Sequence, residues 1–220
     1  TLYRVLKIAT GWFRNQLNSP CGENALTYLK NKRHLSDGTL INFELGFAPD
    51  NWDSLLQYFV DVEKVSVETL ESAGLIVPRK GGNGFYDRFR NRIIVPIHDR
   101  QKRVIGFGGR SLDGSEPKYL NSPETEIFEK GKNLFGLDKS ALSIRKKDYA
   151  VVVEGYFDVM ALHDSGITNV VASLGTALSR NQITLLSRAT DGKKILLNFD
   201  SDNAGIRAAN RAISEVENLA

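Results

Sequence analysis

The pattern of apolar and polar residues becomes regular from Tyr149 to the end of the chain. Three apolar runs rich in β-branched residues predict strands: "YAVVVEG" from Tyr149, "NVVASLG" from Asn169 and "KKILLNFD" from Lys193. A segment with helical apolar spacing follows each run. The order β-α-β-α-β-α with continuous apolar strands is typical of a parallel α/β sheet that helices cover on both faces.

Before Tyr149 the pattern is mixed and predicts an α+β arrangement. Apolar spacing interrupted by Asp37-Gly38 predicts two short helices between Asn24 and Pro49. The runs "WDSLLQYFV" from Trp52 and "SVETLESAG" from Ser66 predict two further helices.

Two β-rich runs and a long polar stretch separate these helices from the regular region. "NRIIVPIHD" from Asn91 and "KRVIGFGGRSL" from Lys102 predict a β-hairpin with a short charged turn. The stretch from Pro117 to Leu137 predicts a long ordered loop with a short helix, because aromatic and apolar residues recur in it. The "GFGG" glycines from Gly106 lie inside the hairpin, so they do not form a dinucleotide-binding motif.

The composition is that of an ordinary globular protein, with 41% of the 220 residues hydrophobic and 25% charged. No apolar run approaches the roughly 20 residues that a membrane-spanning helix needs, so we expect no membrane partner. Cys21 is the only cysteine, which excludes a disulfide framework and a thiolate zinc cage. Its ordinary interpretation is a small, partly buried residue.

The net charge of +3 is unevenly distributed along the chain. Between Arg79 and Arg110 nine lysine and arginine residues accompany only two aspartates, Asp87 and Asp99, an excess of seven positive charges. Aromatic residues recur in the same segment. Basic residues interleaved with aromatic rings are typical of surfaces that bind single-stranded nucleic acid, and a solvated basic face is the ordinary alternative.

Carboxylates follow two of the predicted parallel strands. Glu154 ends the first strand, and Asp200 and Asp202 end the third. Because the carboxyl ends of parallel strands meet at one edge of the sheet, we expect these acids to converge. An i, i+2 pair in extended backbone points to the same side, so the two aspartates can share one centre. With no His or Cys nearby, oxygen ligands of this kind favour Mg²⁺ or Mn²⁺ over zinc.

Each acid also has an alternative interpretation in which its role is purely structural. Asp202 or Asn203 could cap the final helix, and Glu154 could pair with an arginine. The helix dipole stabilises an acid in the first turn of a helix, so Asp158, one turn after Glu154, could have this structural role alone. His163 on the same helix is expected to be a surface histidine or one with satisfied hydrogen bonds.

Three motifs in the regular region, "VVVEGYFDVMAL", "ASLGTALS" and "FDSDNAG", resemble those of the Toprim domain in bacterial DnaG-type primases. Upstream, "YDRFRNRIIVPIHD", "VIGFGGR" and "PKYLNSPETEIFEKGKNLFGL" resemble the RNA polymerase core of that family, as does "YLKNKRHLSDGTLINFELGFAPDNWDSLL". The resemblance covers nearly the whole chain. Phe157 and Ser201 stand where methionine and glycine are frequent in the family, and "LNFD" resembles the cyanobacterial and plastid versions.

The resemblance implies a mixed α+β basic subdomain over 1–131 and a Toprim parallel-sheet α/β subdomain over 132–220, truncated at its C-terminal end. It implies that the family's zinc-ribbon domain precedes Thr1, so that this fragment holds no structural zinc. A helical subdomain, a helicase-binding domain and a further aspartate pair are expected after Ala220. The replicative helicase is therefore an expected partner through a domain absent here. The implied location is the bacterial cytoplasm, at the nucleoid and replisome, or the plastid if the source is a plant.

The implied enzyme is a DNA-directed RNA polymerase of the primase type. It joins ribonucleoside triphosphates on a single-stranded DNA template into short RNA primers by metal-dependent nucleotidyl transfer. The resemblance assigns the catalytic and Mg²⁺-binding roles, in which Mn²⁺ can substitute, to Glu154, Asp158, Asp200 and Asp202; Glu154 could instead take the hydroxyl proton. By motif match, the nucleic-acid and substrate contacts fall on Arg33, Arg88, Arg90, Arg110, Lys118, Asn121 and Lys130.

Other functions are compatible with the same motifs. A Toprim nuclease or topoisomerase-like domain would cleave DNA, but a topoisomerase also needs a tyrosine nucleophile from another domain. A non-catalytic fragment would bind nucleotides or single strands without turnover. A phosphatase that uses the aspartates would release phosphate from small esters. The basic segment ahead of the Toprim motifs favours polymerisation.

Overall fold

The computed structural model describes residues 1–175, 177–192 and 194–217. The chain divides into two compact units, which we describe separately. The N-terminal unit comprises Thr1–Ile97 and Arg103–Phe128, and the C-terminal unit comprises His98–Lys102 and Glu129–Ala220. The boundary between subdomains that the sequence predicts, at 131/132, stays a prediction.

The N-terminal unit is built on a four-stranded sheet of order β1-β4-β5-β6. Its strands are β1 (Gly46–Ala48), β4 (Arg92–His98), β5 (Val104–Ser111) and β6 (Tyr119–Asn121), and a separate antiparallel pair joins β2 (Ile76–Pro78) to β3 (Phe85–Asp87). The β1–β4 and β5–β6 pairs are antiparallel. The predicted hairpin therefore corresponds to β4 and β5, which are neighbours in the sheet.

Helix α1 (Leu2–Leu17), which the sequence reading missed, contacts β1 and β5. Val5, Leu6, Ala9 and Phe13 recur at helical spacing and are buried. The ring of Phe13 lies 5.3 Å from that of Phe107 in an edge-on arrangement. A Cβ at Gly46 would come 2.5 Å from that of Phe13, so only glycine allows this helix to lie so close to β1.

The four short helices predicted in this unit are confirmed. They are α2 (Glu23–Thr27), continued by a π-helical turn (Tyr28–Lys32), then α3 (Asp37–Asn42), α4 (Ser54–Asp61) and α5 (Val67–Ser72). Ser36 and Ser66 cap α3 and α5 by accepting hydrogen bonds from backbone N–H groups three residues on. After α5 the chain turns at Gly74, whose φ is +69°.

Two local expectations have opposite outcomes. The "GFGG" glycines lie within β5, where a Cβ at Gly109 would come 2.7 Å from the Phe89 ring, so their role is close packing. The expectation that Cys21 is partly buried is wrong. Cys21 lies exposed in a 3₁₀ turn (Pro20–Gly22), with its Sγ 3.1 Å from the Ser19 hydroxyl.

The C-terminal unit contains the predicted β-α-β-α-β-α order. Its elements are β7 (Tyr149–Val153), α7 (Tyr156–Asp164), β8 (Val170–Ala172), α8 (Arg180–Ser187), β9 (Lys194–Leu197) and α9 (Asn203–Glu217). The three strands are parallel in the order β8-β7-β9. The α/β fold class is therefore confirmed.

The expectation of uniformly buried strands is wrong for β9. Its residues alternate between exposed and half-buried, and Leu196 is 55% exposed. The strand lies at the edge of the described sheet with one neighbour, so its outer surface has fewer contacts.

Helix α6 (Leu137–Lys147) was also missed: the sequence predicted a long loop up to Leu137 and no helix after it. It buries Leu137 and Ile144 and contacts β7 and β8. The preceding segment contains the short predicted helix as a 3₁₀ turn (Lys130–Lys132). Within the described part of the chain, no helix is long and apolar enough to cross a membrane.

Candidate functional site

Glu154 connects the ends of the first and third parallel strands. It follows β7 directly, and its Oε1 accepts a hydrogen bond of 2.9 Å from the backbone N–H of Asp200. A Cβ at Gly205 would overlap the Asp200 carbonyl oxygen and come 2.8 Å from Oε1 of Glu154. Glycine at position 205 therefore lets the start of α9 approach the glutamate closely. The carboxyl ends of the two strands therefore meet through this contact, whereas the convergence of the three carboxylates stays a prediction.

The carboxylate of Asp202 serves the start of helix α9. Its Oδ1 accepts hydrogen bonds from the N–H groups of Ala204 at 2.9 Å and Gly205 at 2.8 Å. Residues 201 and 202 lie in a bend, so the argument from extended backbone does not apply to the aspartate pair. The capping alternative for Asp202 is thus realised, although its second oxygen is not used by the cap.

Asp158 also has a structural role at a helix start. Its Oδ2 accepts a hydrogen bond of 3.0 Å from the N–H of Gly155, the N-cap residue of α7. The side chain is exposed. His163, further along the helix, lies 3.0 Å from the Ser140 hydroxyl, and burial lowers its pKa. The expectation of a satisfied histidine is confirmed.

The carboxylates at the strand ends are hard oxygen donors of the kind that Mg²⁺ binds. Across the described ranges, no group of three or more His, Cys, Asp or Glu side chains is assembled as a metal site. Mg²⁺ in phosphoryl-transfer enzymes is commonly bound through one or two carboxylates plus substrate phosphates and water. In the described residues neither Glu154 nor Asp200 forms an ion pair, and the printed hydrogen bond of Glu154 uses only Oε1, so these carboxylates suit that kind of coordination.

A pocket of about 480 Å³ opens beside Glu154. Besides the glutamate, its lining includes Gly175, Phe199, Arg207 and Arg211. The two arginines are four residues apart on α9 and therefore lie on the same face of the helix. Within the described part of the chain, neither makes an ion pair. The sequence reading missed both, although their i, i+4 spacing after the aspartates was visible.

The N-terminal unit presents an aromatic and arginine cluster, defined by Trp52, Tyr86, Arg79 and Arg90, in which Trp52 and Arg79 are exposed and the other two are half-buried. The guanidinium of Arg90 lies 4.2 Å from the Trp52 ring and 4.9 Å from the Tyr86 ring. Arg79 lies 5.6 Å from the Trp52 ring and 5.9 Å from that of Tyr86. Trp52 is 56% exposed. Of these four residues only Arg90 was predicted as a contact residue; Trp52 lies well before the basic segment in the sequence, so only the structure shows that the two are in contact.

A second cluster in the same unit joins Tyr28, Arg33 and Arg110. The Nε of Arg33 donates to the Tyr28 hydroxyl at 2.8 Å, and the guanidinium of Arg110 lies 4.4 Å from the Tyr28 ring. The Nε of Arg110 is buried without a hydrogen-bond partner. The structure thus brings together two residues that were predicted separately.

The remaining predicted contacts of this unit have different surroundings. Arg88 donates through Nε and Nη2 to the backbone carbonyl of Asn121, at 3.2 and 2.8 Å, and burial lowers its pKa. Lys118 is exposed, with its ammonium 5.9 Å from the Tyr119 ring. Arg88 therefore orients β6, whereas Lys118 is directed toward solvent.

Lys130, the predicted contact in the C-terminal unit, lies in the 3₁₀ turn before α6. Its carbonyl accepts a hydrogen bond of 2.9 Å from the side chain of Gln182. The turn is therefore held by helix α8.

Comparison with protein-family models gives two matches. The DNA primase catalytic core, N-terminal domain, matches residues 12–141, and the Toprim domain matches residues 148–220. The chain is 57% identical over 219 residues to the DNA primase of Synechococcus elongatus, which covers 100% of this chain and 32% of that protein.

This chain belongs to the DnaG-type DNA primase family.

Further primases show the same relationship. The DNA primase of Escherichia coli K12 is 43% identical over 213 residues, 97% of this chain and 36% of that protein. A DNA primase domain from Pseudomonas aeruginosa superimposes with a TM-score of 0.91 at 42% identity, covering 98% of this chain and 66% of that one. A DnaG primase catalytic domain bound to single-stranded DNA gives 0.86 at 42% identity, with 96% and 64% coverage. The chain spans about a third of the length of the curated relatives.

The two primase family matches divide the candidate residues between them. The match to the N-terminal domain of the primase core includes both aromatic and arginine clusters. The match to the Toprim domain includes Glu154, the two aspartates and the pocket with Arg207 and Arg211.

Proposed function

We propose that this chain is the catalytic part of a DNA primase, which joins ribonucleoside triphosphates into short RNA primers on a single-stranded DNA template. The observation that carries the proposal is the pocket beside Glu154. An acid at one end and two arginines on its wall suit a ligand that combines a divalent cation with a polyphosphate. Membership of the primase family supports the same reaction.

In this proposal Mg²⁺ is bound by Glu154 and Asp200, with Asp202 contributing the oxygen that its cap leaves unused. When bound, the metal would neutralise charge on the phosphates and on the reacting oxygens. The chain's own contribution is to hold the carboxylates at the strand ends and to place Arg207 and Arg211 along the polyphosphate. Asp158 acts mainly by ordering the turn between Glu154 and helix α7.

The basic N-terminal unit is proposed to bind the template. Exposed rings next to guanidinium groups stack on bases of any sequence, and the arginines neutralise phosphates. The Trp52 cluster offers this combination with an exposed ring, and the Tyr28 cluster offers it with a half-buried one. The related DnaG domain bound to single-stranded DNA supports a template of this class.

The partners and location follow from the same proposal. A replicative helicase would be engaged by a part of the protein outside this chain. A bacterial replisome in the cytoplasm suits the bacterial relatives, and a plastid would apply if the source is a plant. The DNA-cleaving alternative is not favoured, because the primase core match extends over the basic unit as well as the Toprim motifs.

The proposal is tested by removing charge without removing hydrogen bonds. In Glu154→Gln the side-chain oxygen can still accept from the Asp200 N–H, and in Asp202→Asn the cap is retained. We expect both variants to fold normally, to lose Mn²⁺ binding measured by electron paramagnetic resonance, and to lose template-dependent primer synthesis. The loss should reach at least about a hundredfold for Glu154→Gln.

The control is Glu71→Gln, which removes one exposed acid from α5 in the other unit. It should leave Mn²⁺ binding and primer synthesis unchanged. Primer synthesis at the wild-type rate in Glu154→Gln would refute the proposed site.

A further inference from the structure

Two side chains of helix α8 hold the Lys130–Lys132 turn by its backbone. The Nε2 of Gln182 donates to the carbonyl of Lys130 at 2.9 Å and to that of Asn133 at 2.6 Å. The hydroxyl of Ser179 donates to the carbonyl of Gly131. Three carbonyl groups within four consecutive residues thus accept hydrogen bonds from residues about fifty positions later in the chain.

Gln182 is fully buried, and every hydrogen-bonding atom of its amide is used. While Nε2 donates to the turn, Oε1 accepts from the N–H of Ser179 at 3.0 Å. The Ser179 hydroxyl in turn accepts from the Gln182 N–H at 3.2 Å, which completes a capping box at the start of α8. A buried amide without partners is costly, so this arrangement specifies one position for the turn.

The turn needs such support because of its own sequence. It reads Lys-Gly-Lys, and glycine has the greatest conformational freedom of any residue. Both backbone bonds within the turn are short-range: the Lys132 N–H donates to the Glu129 carbonyl at 3.0 Å and the Asn133 N–H to that of Lys130 at 3.3 Å. Bonds of this range alone do not fix the position of the turn relative to helix α8.

We infer that Gln182, assisted by Ser179, is a positioning residue for Lys130: it fixes the backbone from which this ammonium reaches the phosphates of the triphosphate or template. The inference rests on the proposed function and on the predicted contact of Lys130 with phosphates. A lysine on a fixed backbone loses less freedom when it meets a phosphate than one on a mobile turn, so the anchoring favours productive binding.

The test uses the whole protein, four single variants and the double variant Gln182→Met, Lys130→Ala. Gln182→Met keeps length and approximate volume but removes both donors to the turn. Ser179→Ala removes the bond to Gly131 and is the second variant if Gln182→Met folds poorly. Lys130→Ala removes the ammonium, and Ser66→Ala, which loses only the cap of α5 in the other unit, is the control for general loss of stability.

Two measurements are needed, one of structure and one of activity. Hydrogen exchange of the Lys132 and Asn133 amides reports whether the turn is anchored, independently of any reaction. A double-mutant cycle on kcat/KM for primer synthesis reports whether Gln182 acts through Lys130. We expect faster exchange in Gln182→Met and Ser179→Ala but not in Ser66→Ala. We also expect Gln182→Met to lower kcat/KM by about tenfold, and by much less when Lys130 is already alanine.

The outcomes separate this inference from the proposed function. Unchanged exchange at the two amides would overturn the anchoring, whatever the activity. Faster exchange with fully additive effects on kcat/KM, or no effect of Lys130→Ala, would overturn the link to Lys130. Failure of the unmodified protein to make primers would instead refute the proposed function, and the exchange data would still decide whether the turn is anchored.

Discussion

At the scale of single residues, acidic side chains here mostly serve the backbone. Asp87 is buried, and its oxygens accept from the N–H groups of Leu55 at 2.8 Å and Leu56 at 3.0 Å, at the start of α4. It thereby caps a helix from a strand more than thirty positions away, which no local pattern predicts. One of the two acids within the basic segment is thus not at the surface, but Arg92 of the same segment is buried too, so the excess of positive charge at the surface stays as the sequence count gives it.

The burial of Asp87 predicts a specific pH dependence of stability. Burial raises the pKa of Asp87 to about 6, above the value of about 3.9 for an unfolded chain. The protonated form therefore favours the folded state. The contribution is complete below about pH 4 and is lost as the pH rises through about 6.

We expect the free energy of unfolding to include a term from Asp87 that grows by on the order of 2 kcal/mol between pH 7 and pH 4. Asp87→Asn removes the titratable group and should abolish that term, although its one amide oxygen can accept from only one of the two N–H groups. Urea titrations of both proteins at several pH values measure the difference. Parallel pH profiles for the two proteins would contradict the prediction.

At the scale of elements, the elements that were predicted and those that were missed differ in how clearly the sequence marks their ends. The parallel strands could be predicted because each apolar run is followed by a segment of helical length. Helix α1 has helical apolar spacing at Val5, Leu6, Ala9 and Phe13. It was missed because it lies outside the segments whose ends are marked by turn residues. Helix α6 was missed because its N-cap is a glycine, Gly136, and a glycine in the sequence is typical of a loop. In the structure this glycine has a left-handed conformation.

The Trp52 cluster predicts a contribution to single-strand binding from one exposed ring. Trp52 joins the loop before α4 to Tyr86 of β3, with ring centroids 5.6 Å apart. Base–aromatic stacking contributes about 1–3 kcal/mol per base, so Trp52→Ala should weaken binding of single-stranded DNA by roughly tenfold or more. Trp52→Phe keeps a stacking surface and should lose less.

Fluorescence anisotropy with a labelled oligonucleotide measures the affinity. The matched control is Ile41→Ala, which truncates another exposed apolar side chain of the same unit, 65% exposed. Equal affinities for Trp52→Ala and the control would exclude this ring from the binding surface.

At the scale of the whole molecule, the positive charge is concentrated in one region of the chain. A modest net charge of +3 conceals the excess between Arg79 and Arg110. Binding of a nucleic acid to such a surface releases counterions, so its affinity falls with salt in proportion to the number of phosphates contacted.

The salt dependence identifies the residues involved. Removing one side chain that neutralises a phosphate of the single strand should reduce the slope of log Kobs against log salt by about 0.7. We expect Arg90→Ala with Lys118→Ala to flatten the slope measurably, and Lys146→Ala, an exposed lysine of α6, to leave it unchanged. Arg88 is a less suitable variant, because it makes two hydrogen bonds to the Asn121 carbonyl, whereas Arg90 makes one, to the Asp87 carbonyl. An unchanged slope in the double variant would assign template binding to other residues.

The sequence by itself determined the parallel α/β unit, the basic segment and the acids at the strand ends, because periodicity, charge and strand termini are local properties of the chain. Only the tertiary structure decided which acids cap helices, that Arg207 and Arg211 line the pocket of Glu154, and that Gln182 holds the Lys130 turn. Those relations depend on contacts between residues far apart in the chain. Packing determines where a side chain points across such a contact, and a local sequence pattern does not specify that packing.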